Sequence, residues 1–85
     1  MASYNVRIKR SAAKELEAAP PKDRKRIARR IEGLAAEPRP QGCEKLSGEE
    51  KYRLRQGAYR ILYEIVDQEL IVTVVKIGNR RDVYR

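Results

Sequence analysis

Residues Lys51 to Ile77 read KYRLRQGAYRILYEIVDQELIVTVVKI, and the architecture follows from how this run divides. KYRLRQ, YRILYEIV and ELIVTVVKI are rich in β-branched and aromatic residues, and they are separated by Gly57 and then by Asp67 and Gln68. Such runs bounded by turn residues read as strands. Connections this short join antiparallel neighbours. Side chains alternate across a strand, so Lys51, Arg53 and Arg55 share one face and Tyr52 and Leu54 the other. In the second run Tyr59, Ile61, Tyr63 and Ile65 oppose Arg60, Leu62, Glu64 and Val66. The tyrosine–isoleucine set is the expected core face, with Tyr59 and Tyr63 as core aromatics. The third run is apolar on both faces, and alternation does not orient it.

Working outward, YNVRIKR reads as a short strand from about Tyr4 to Lys9, with Val6 and Ile8 on one face. Ser11 offers an N-cap to a helix SAAKELEAA, with Glu15 in its first turn and Ala12, Leu16 and Ala19 at helical spacing. That helix should stop at Pro20 and Pro21, and Pro21 can open the next one. The second helix, KDRKRIARRIEGLAAE, gathers Ile27, Ile31 and Leu34 with Ala28 and Ala35 into one stripe, while Arg24, Lys25, Arg26, Arg29 and Arg30 crowd the remainder. A loop, PRPQG, from Pro38 to Gly42 ends the helical half. The result is one α+β domain over residues 1–85, its helices folded back on each other and packed on the sheet.

A chain of 85 residues can cover one face of a sheet with a helix or two, and a second domain does not fit. Twenty Lys and Arg against twelve Asp and Glu give a net charge of +8. That balance implies a polyanionic partner, nucleic acid or a strongly acidic protein, or else a merely soluble basic surface. The lone Cys43 forms no internal disulfide and reads as an incidental loop residue, and no signal-peptide or membrane-span pattern is present. A cytosolic location is the default, with no membrane partner. Histidine is absent, so the usual zinc constellations cannot be assembled, and neither metal nor cofactor is expected.

Side by side, the charged strand faces bring Lys51, Arg53, Arg55 and Arg60 onto the sheet surface not covered by helices. The closing IGNRRDVYR adds Arg80, Arg81 and Tyr84 to its rim. Guanidinium forks match phosphate oxygens and phenols stack on unpaired bases, which suits an RNA backbone. The same pattern also describes solvated strands whose charges guard against aggregation. Glu64, on the face of Arg60, either positions that arginine or limits exposed positive charge. The apolar strip of Leu62, Val72 and Val74 is either a docking surface or core.

The run KYRLRQGAYRILYEI, the closing VVKIGNRRDVYR, the preceding EKLSG and the two-helix front half together resemble the RelE/ParE superfamily of toxin–antitoxin toxins, RelE-like branch. The resemblance spans essentially the whole chain. It implies a β-α-α-β-β-β microbial ribonuclease fold, an antiparallel sheet on a helical hairpin. The implied activity is a metal-independent endoribonuclease that cuts messenger RNA in the ribosomal A site, leaving 2′,3′-cyclic phosphate and 5′-hydroxyl ends. The implied partners are the ribosome, its message and an acidic cognate antitoxin in a hetero-oligomer.

By position, Arg60 and Arg80 fall on the family's phosphate-contacting arginines. Lys51, Arg53 and Arg55 fall on further basic positions, and Tyr84 on the terminal tyrosine that orients substrate. Many relatives read G-H-R where this chain reads Gly78, Asn79, Arg80, so the proton-carrying histidine is replaced by a residue that can only hydrogen-bond. That leaves Lys51, eased toward neutrality by surrounding arginines, and Tyr84 as proton carriers. Arg26 and Arg30 are either ribosomal RNA contacts or a solvated helix face. Two other functions stay open: a ParE-like inhibitor of DNA gyrase, and an inactive homologue that only binds RNA or antitoxin.

Overall fold

Two consecutive prolines split the helical half, and a tight glycine turn pairs the long strands. In the structure, a computed structural model that describes residues 3–46 and 50–79, the chain runs β1 (Asn5–Ile8), α1 (Arg10–Ala18), α2 (Pro21–Gly33), β2 (Glu44–Lys45), β3 (Lys51–Gln56), β4 (Tyr59–Val66), a 3-10 turn (Asp67–Glu69) and β5 (Ile71–Asn79). The strands form one sheet in the order β1-β5-β4-β3-β2.

The α+β class and the three long strands match the sequence reading, but the sheet is mixed rather than antiparallel. β1 lies parallel to β5, with Val6 beside Val72 and Ile8 beside Val74. No tight turn joins these two strands, so hairpin geometry places no constraint on their relative direction. β2 is an addition: its two residues pair with Arg53 and Tyr52, and a strand that short displays no alternation to read.

Helix α1 begins at Arg10 with Lys9 at the N-cap and no side-chain cap. Ser11, expected as the cap, lies inside the helix, and Glu15 sits in the second turn. Helix α2 opens on Pro21, where a missing N–H costs nothing. It stops at Gly33 rather than Glu37, because Leu34 N–H closes a tight turn onto Ile31 C=O at 3.0 Å. Ile27, Ile31 and Leu34 are buried together with Ala12 of α1 and Ala19 just past its end.

They meet Tyr52, Leu54, Ile61, Tyr63 and Ile65 from the sheet, while Tyr59 packs half-buried at the edge of the core and Cys43 beside it. Tyr63 is fully buried. It stacks on Tyr52 with ring centroids 5.8 Å apart, and its hydroxyl donates to Pro38 C=O at 2.8 Å. Burial pushes the Tyr63 phenol well above its ordinary range.

The last strand carries the irregularity that alternation cannot reveal. Leu62 pairs with Lys76 but Tyr63 with Val74, leaving Val75 as an extra residue on β5. This bulge reverses the parity: Val72 and Val74 face the core, and beyond it Ile77 does. Val72 and Val74 are thus core residues, and Leu62 points to the opposite face, so the three do not form a docking strip. At the β3–β4 turn only Gly57 has positive φ, +58°, as a two-residue type II′ hairpin requires. The β4–β5 connection is longer than Asp67 and Gln68 alone, since it includes the 3-10 turn and Leu70 in the left-handed region at φ 54°.

Arg39, in the proline-rich loop, ties these parts together at one end of the sheet. Its Nε donates to the Tyr52 hydroxyl at 2.9 Å, and its Nη1 and Nη2 grip Asp67 at 3.1 and 2.8 Å. The guanidinium lies 5.1 Å over the Tyr52 ring, and Tyr4 adds a hydroxyl bond to Asp67 at 2.7 Å. The loop after α2, the start of β1, β3 and the β4–β5 turn thereby share one fork.

The Arg39 bonds, and after them the Tyr4 hydroxyl, hold the Asp67 carboxyl down at about 2 against an ordinary 3.8. A depressed carboxyl contributes stability that is complete above the ordinary value and lost as pH falls through the lowered one. In Arg39→Gln, carboxyl-detected NMR should find Asp67 titrating back toward 3.8. Acid unfolding should begin at correspondingly higher pH; an unmoved Asp67 titration would contradict the clamp.

Candidate nucleic-acid interface

Strand register determines which charges meet on the sheet face turned away from the helices. Arg55 stands opposite Arg60, and Arg60 opposite Gly78. One row along, Arg53 aligns with Leu62 and Lys76; the next holds Lys51, Glu64, Thr73 and Arg7. Directly opposed residues have Cβ atoms about 4.5–5.5 Å apart. Lys51, Arg53, Arg55 and Arg60 therefore do share this face.

Their surroundings differ. Arg60 is only 3% exposed, while Arg55 and Lys51 are exposed and Arg53 is half-buried. Arg53 Nη2 meets Glu44 Oε2 at 2.9 Å, and Lys51 Nζ lies 3.8 Å from Glu64 Oε2. Glu64 thus faces Lys51 across the strands as well as sharing a face with Arg60. Lys51 is four residues along β3 from Arg55, roughly 13 Å. The arginines expected to surround it reduce on this strand face to Arg53.

Asn79 closes β5 in register with Tyr59, one residue beyond Gly78 and so on the opposite face from Arg60. Arg80, Arg81 and Tyr84 lie outside the described residues. Arg26 and Arg30 sit one turn apart on α2, in the helical layer, and the fold does not bring them together with the sheet cations.

Three participants escaped the sequence reading. Arg7 extends the basic face onto β1; its alternation with Val6 and Ile8 was the available signal. Glu44 and Glu15 had none, because each acquires its partner only through tertiary pairing. Glu15 of α1 accepts the Ile77 backbone N–H at 2.9 Å and the Lys76 ammonium at 3.0 Å.

Chemically, two arginines opposed across neighbouring strands repel, at a cost of a few tenths to about 1 kcal/mol. An anion laid across them converts that repulsion into paired contacts, and each fork can bind a phosphate through two parallel N–H bonds. Carboxylates beside Arg53 and Lys51 hold the flanking cations in place. Among the described residues no grouping of His, Cys, Asp and Glu could hold a metal ion, and no helix is long and apolar enough to cross a membrane.

A family model described as the ParE toxin of the type II toxin–antitoxin system parDE matches residues 6–84. Over 86 aligned residues the chain is 31% identical to RelE1 of Methanocaldococcus jannaschii, covering 96% of each protein. It is equally 31% identical to toxin RelG of Mycobacterium tuberculosis, covering 96% of this chain and 97% of that one. Its fold matches a chain of the archaeal RelE–RelB complex from Pyrococcus horikoshii with a TM-score of 0.85 at 27% identity, covering 94% of this chain and 98% of that one.

Arg55→Glu replaces the opposed like-charge pair by an opposite-charge one. Thermal or urea unfolding should show the variant equal to or more stable than the parent, by up to about 1 kcal/mol. Binding to single-stranded RNA should weaken, with a salt dependence shallower by about one phosphate contact or more. Unchanged RNA affinity would remove this face from the interface.

Proposed function

The chain belongs to the RelE/ParE superfamily of type II toxin–antitoxin toxins, and from that premise we propose that it is a ribosome-dependent endoribonuclease that cuts messenger RNA in the A site. The single observation that carries the reading is the Arg55–Arg60 pair, opposed in register on the sheet face that the helices leave uncovered. Lys51 and Arg53 share that face. Such a row suits a phosphodiester backbone better than a neutral ligand or a cation.

In the proposed reaction the ribose 2′-oxygen attacks the adjacent phosphorus. A 2′-O–P bond forms, the P–5′-O bond breaks, the 2′ proton passes to a base and the 5′-oxygen takes up a proton. The products are a 2′,3′-cyclic phosphate and a 5′-hydroxyl. Negative charge gathers on the equatorial phosphate oxygens, and fixed cations in a water-poor setting stabilise it most. Arg60, almost fully buried, and Arg80 take that role, with Arg53 and Arg55 completing the neutralisation.

Arginine stays protonated and serves poorly as a base, so proton transfer falls to Lys51 and Tyr84. Arg81 holds the substrate, and Asn79, on the other face of β5, reaches it only around the end of the strand. Because no imidazole is available, rate comes mainly from orientation and charge stabilisation, with the ribosome presenting the message in a reactive pose. Arg26 and Arg30, on the other layer, contact ribosomal RNA. The partner that silences the protein is an acidic antitoxin; the P. horikoshii relative was solved in complex with RelB. An acidic segment can cover a cationic face and neutralise it there. The matched family model carries the ParE description, which favours gyrase inhibition as the second reading.

Purified protein incubated with programmed ribosomes should produce 5′ ends within the A-site codon. Arg60→Ala and Arg80→Ala, each folded by circular dichroism, should lower single-turnover cleavage roughly 10²–10³-fold. Lys51→Met should change the pH profile if Lys51 is the base. Inhibition of gyrase supercoiling without cuts would replace the nuclease by the second reading, and neither activity would leave an inactive binding homologue.

A further inference from the structure

Strand β5 has a strand neighbour on each side only as far as Val74. β1 ends at Ile8, in register with Val74, and Lys9 N–H closes that ladder onto Val74 C=O at 2.9 Å. Beyond this point β5 keeps β4 on one side, but its other side would expose backbone donors along an unpaired edge. The bulge at Val75 lies here, so the final stretch Lys76 to Asn79 departs from a locally irregular strand.

The Glu15 side chain occupies this edge. Glu15, in the middle of α1, is 32% exposed and places one carboxylate oxygen 2.9 Å from Ile77 N and the other 3.0 Å from Lys76 Nζ. An ionised acceptor on a backbone N–H is a charge-assisted bond, stronger than the neutral ladder bonds it replaces. The helix thus takes the place of the missing strand at one point. That point lies between the bulge and the sequence Gly78, Asn79, Arg80.

We infer that Glu15 is a positioning residue for the cleavage reaction: its carboxylate pins the end of β5 at Ile77 and so sets where the strand places Gly78, opposite Arg60. The inference rests on the nuclease reading above. Gly78 is the register partner of Arg60, and Arg80 follows Ile77 by three residues. A shift of β5 by a fraction of a residue would move Gly78 relative to the Arg55–Arg60 pair. Reactions governed by orientation lose roughly a hundredfold for a misplacement of about 1 Å. Glu15 is anionic and would repel a phosphate, so a direct substrate contact is the role its chemistry least suits.

The test compares parent, Glu15→Ala and Glu15→Gln in single-turnover cleavage on programmed ribosomes, with ribosome binding, thermal unfolding and Ile77 amide exchange measured in parallel. Glu15→Ala should lower the cleavage rate roughly 10- to 100-fold with ribosome affinity unchanged or tighter, since a negative charge is lost. Ile77 exchange should accelerate. Glu15→Gln keeps an acceptor for Ile77 N–H and should recover the rate to within about threefold of the parent, with Ile77 protected again.

Loss of affinity and rate in parallel with loss of folded protein would assign Glu15 a purely structural role and overturn the inference. So would Glu15→Ala cleaving within about twofold of an active parent. If Glu15→Ala fails to fold, the glutamine variant decides: cleavage near the parent rate with protected Ile77 supports the inference, and a rate lost despite that protection overturns it. A parent that cuts nothing would bring down the nuclease reading and this inference with it, an outcome distinct from an active parent insensitive to position 15.

Discussion

Ile27 and Ile31 of α2 and Leu34 just past its end, with Ala12 of α1 and Ala19 just past its end, pack onto one face of the sheet, against Tyr52, Leu54, Ile61, Tyr63 and Ile65. Burying side chains of this size contributes about 1.5–3 kcal/mol each, and the two helices have apolar stripes wide enough for one sheet face. Because that face takes the helices, the alternate residues of β3 and β4 are committed to the other. There the chain places Lys51, Arg53, Arg55 and Arg60, so the packing that folds the domain also assembles the cationic surface. The register sets Arg55 beside Arg60, a like-charge pairing with a cost of a few tenths to about 1 kcal/mol that an anionic ligand would relieve.

The two ends of the sheet are secured by different means. At one, Arg39 gathers Tyr52, Asp67 and Tyr4 into a fork that joins the loop after α2 to three strand termini. At the other, Glu15 substitutes for a strand at the exposed edge of β5. The proposed charge stabilisation belongs to this second end, near Arg60 and Gly78, while Lys51 lies four residues down β3 toward the first. A substrate-binding end that ran on into further strands would leave no room for a polymer to cross. A single carboxylate from a helix keeps the edge ordered while leaving the face open.

Four strands, two helices and the division of β3 and β4 into basic and apolar faces were legible in the residues, because alternation and proline placement act over a few neighbours. The core tyrosines and the shared face of Lys51, Arg53, Arg55 and Arg60 came from the same local periodicity. Family resemblance pointed to the basic positions as a set. The environment of each was not legible: Arg60 is nearly buried, and Arg53 is held by Glu44 and Lys51 faces Glu64 through the register of neighbouring strands.

Local chemistry was thus sufficient to set the order of both helices and four of the five strands, the core stripe and the charge of the uncovered face. Long-range pairing was needed for the rest. That β1 runs parallel to β5 and that Glu15 meets Ile77 depend on contacts between residues some sixty positions apart, and the Val75 bulge that turns Ile77 inward depends on the register against β4. No periodicity within a single strand encodes them. The parity of β5 illustrates the reason: when both faces are apolar, either orientation satisfies the strand alone, and only its neighbours β4 and β1 select one.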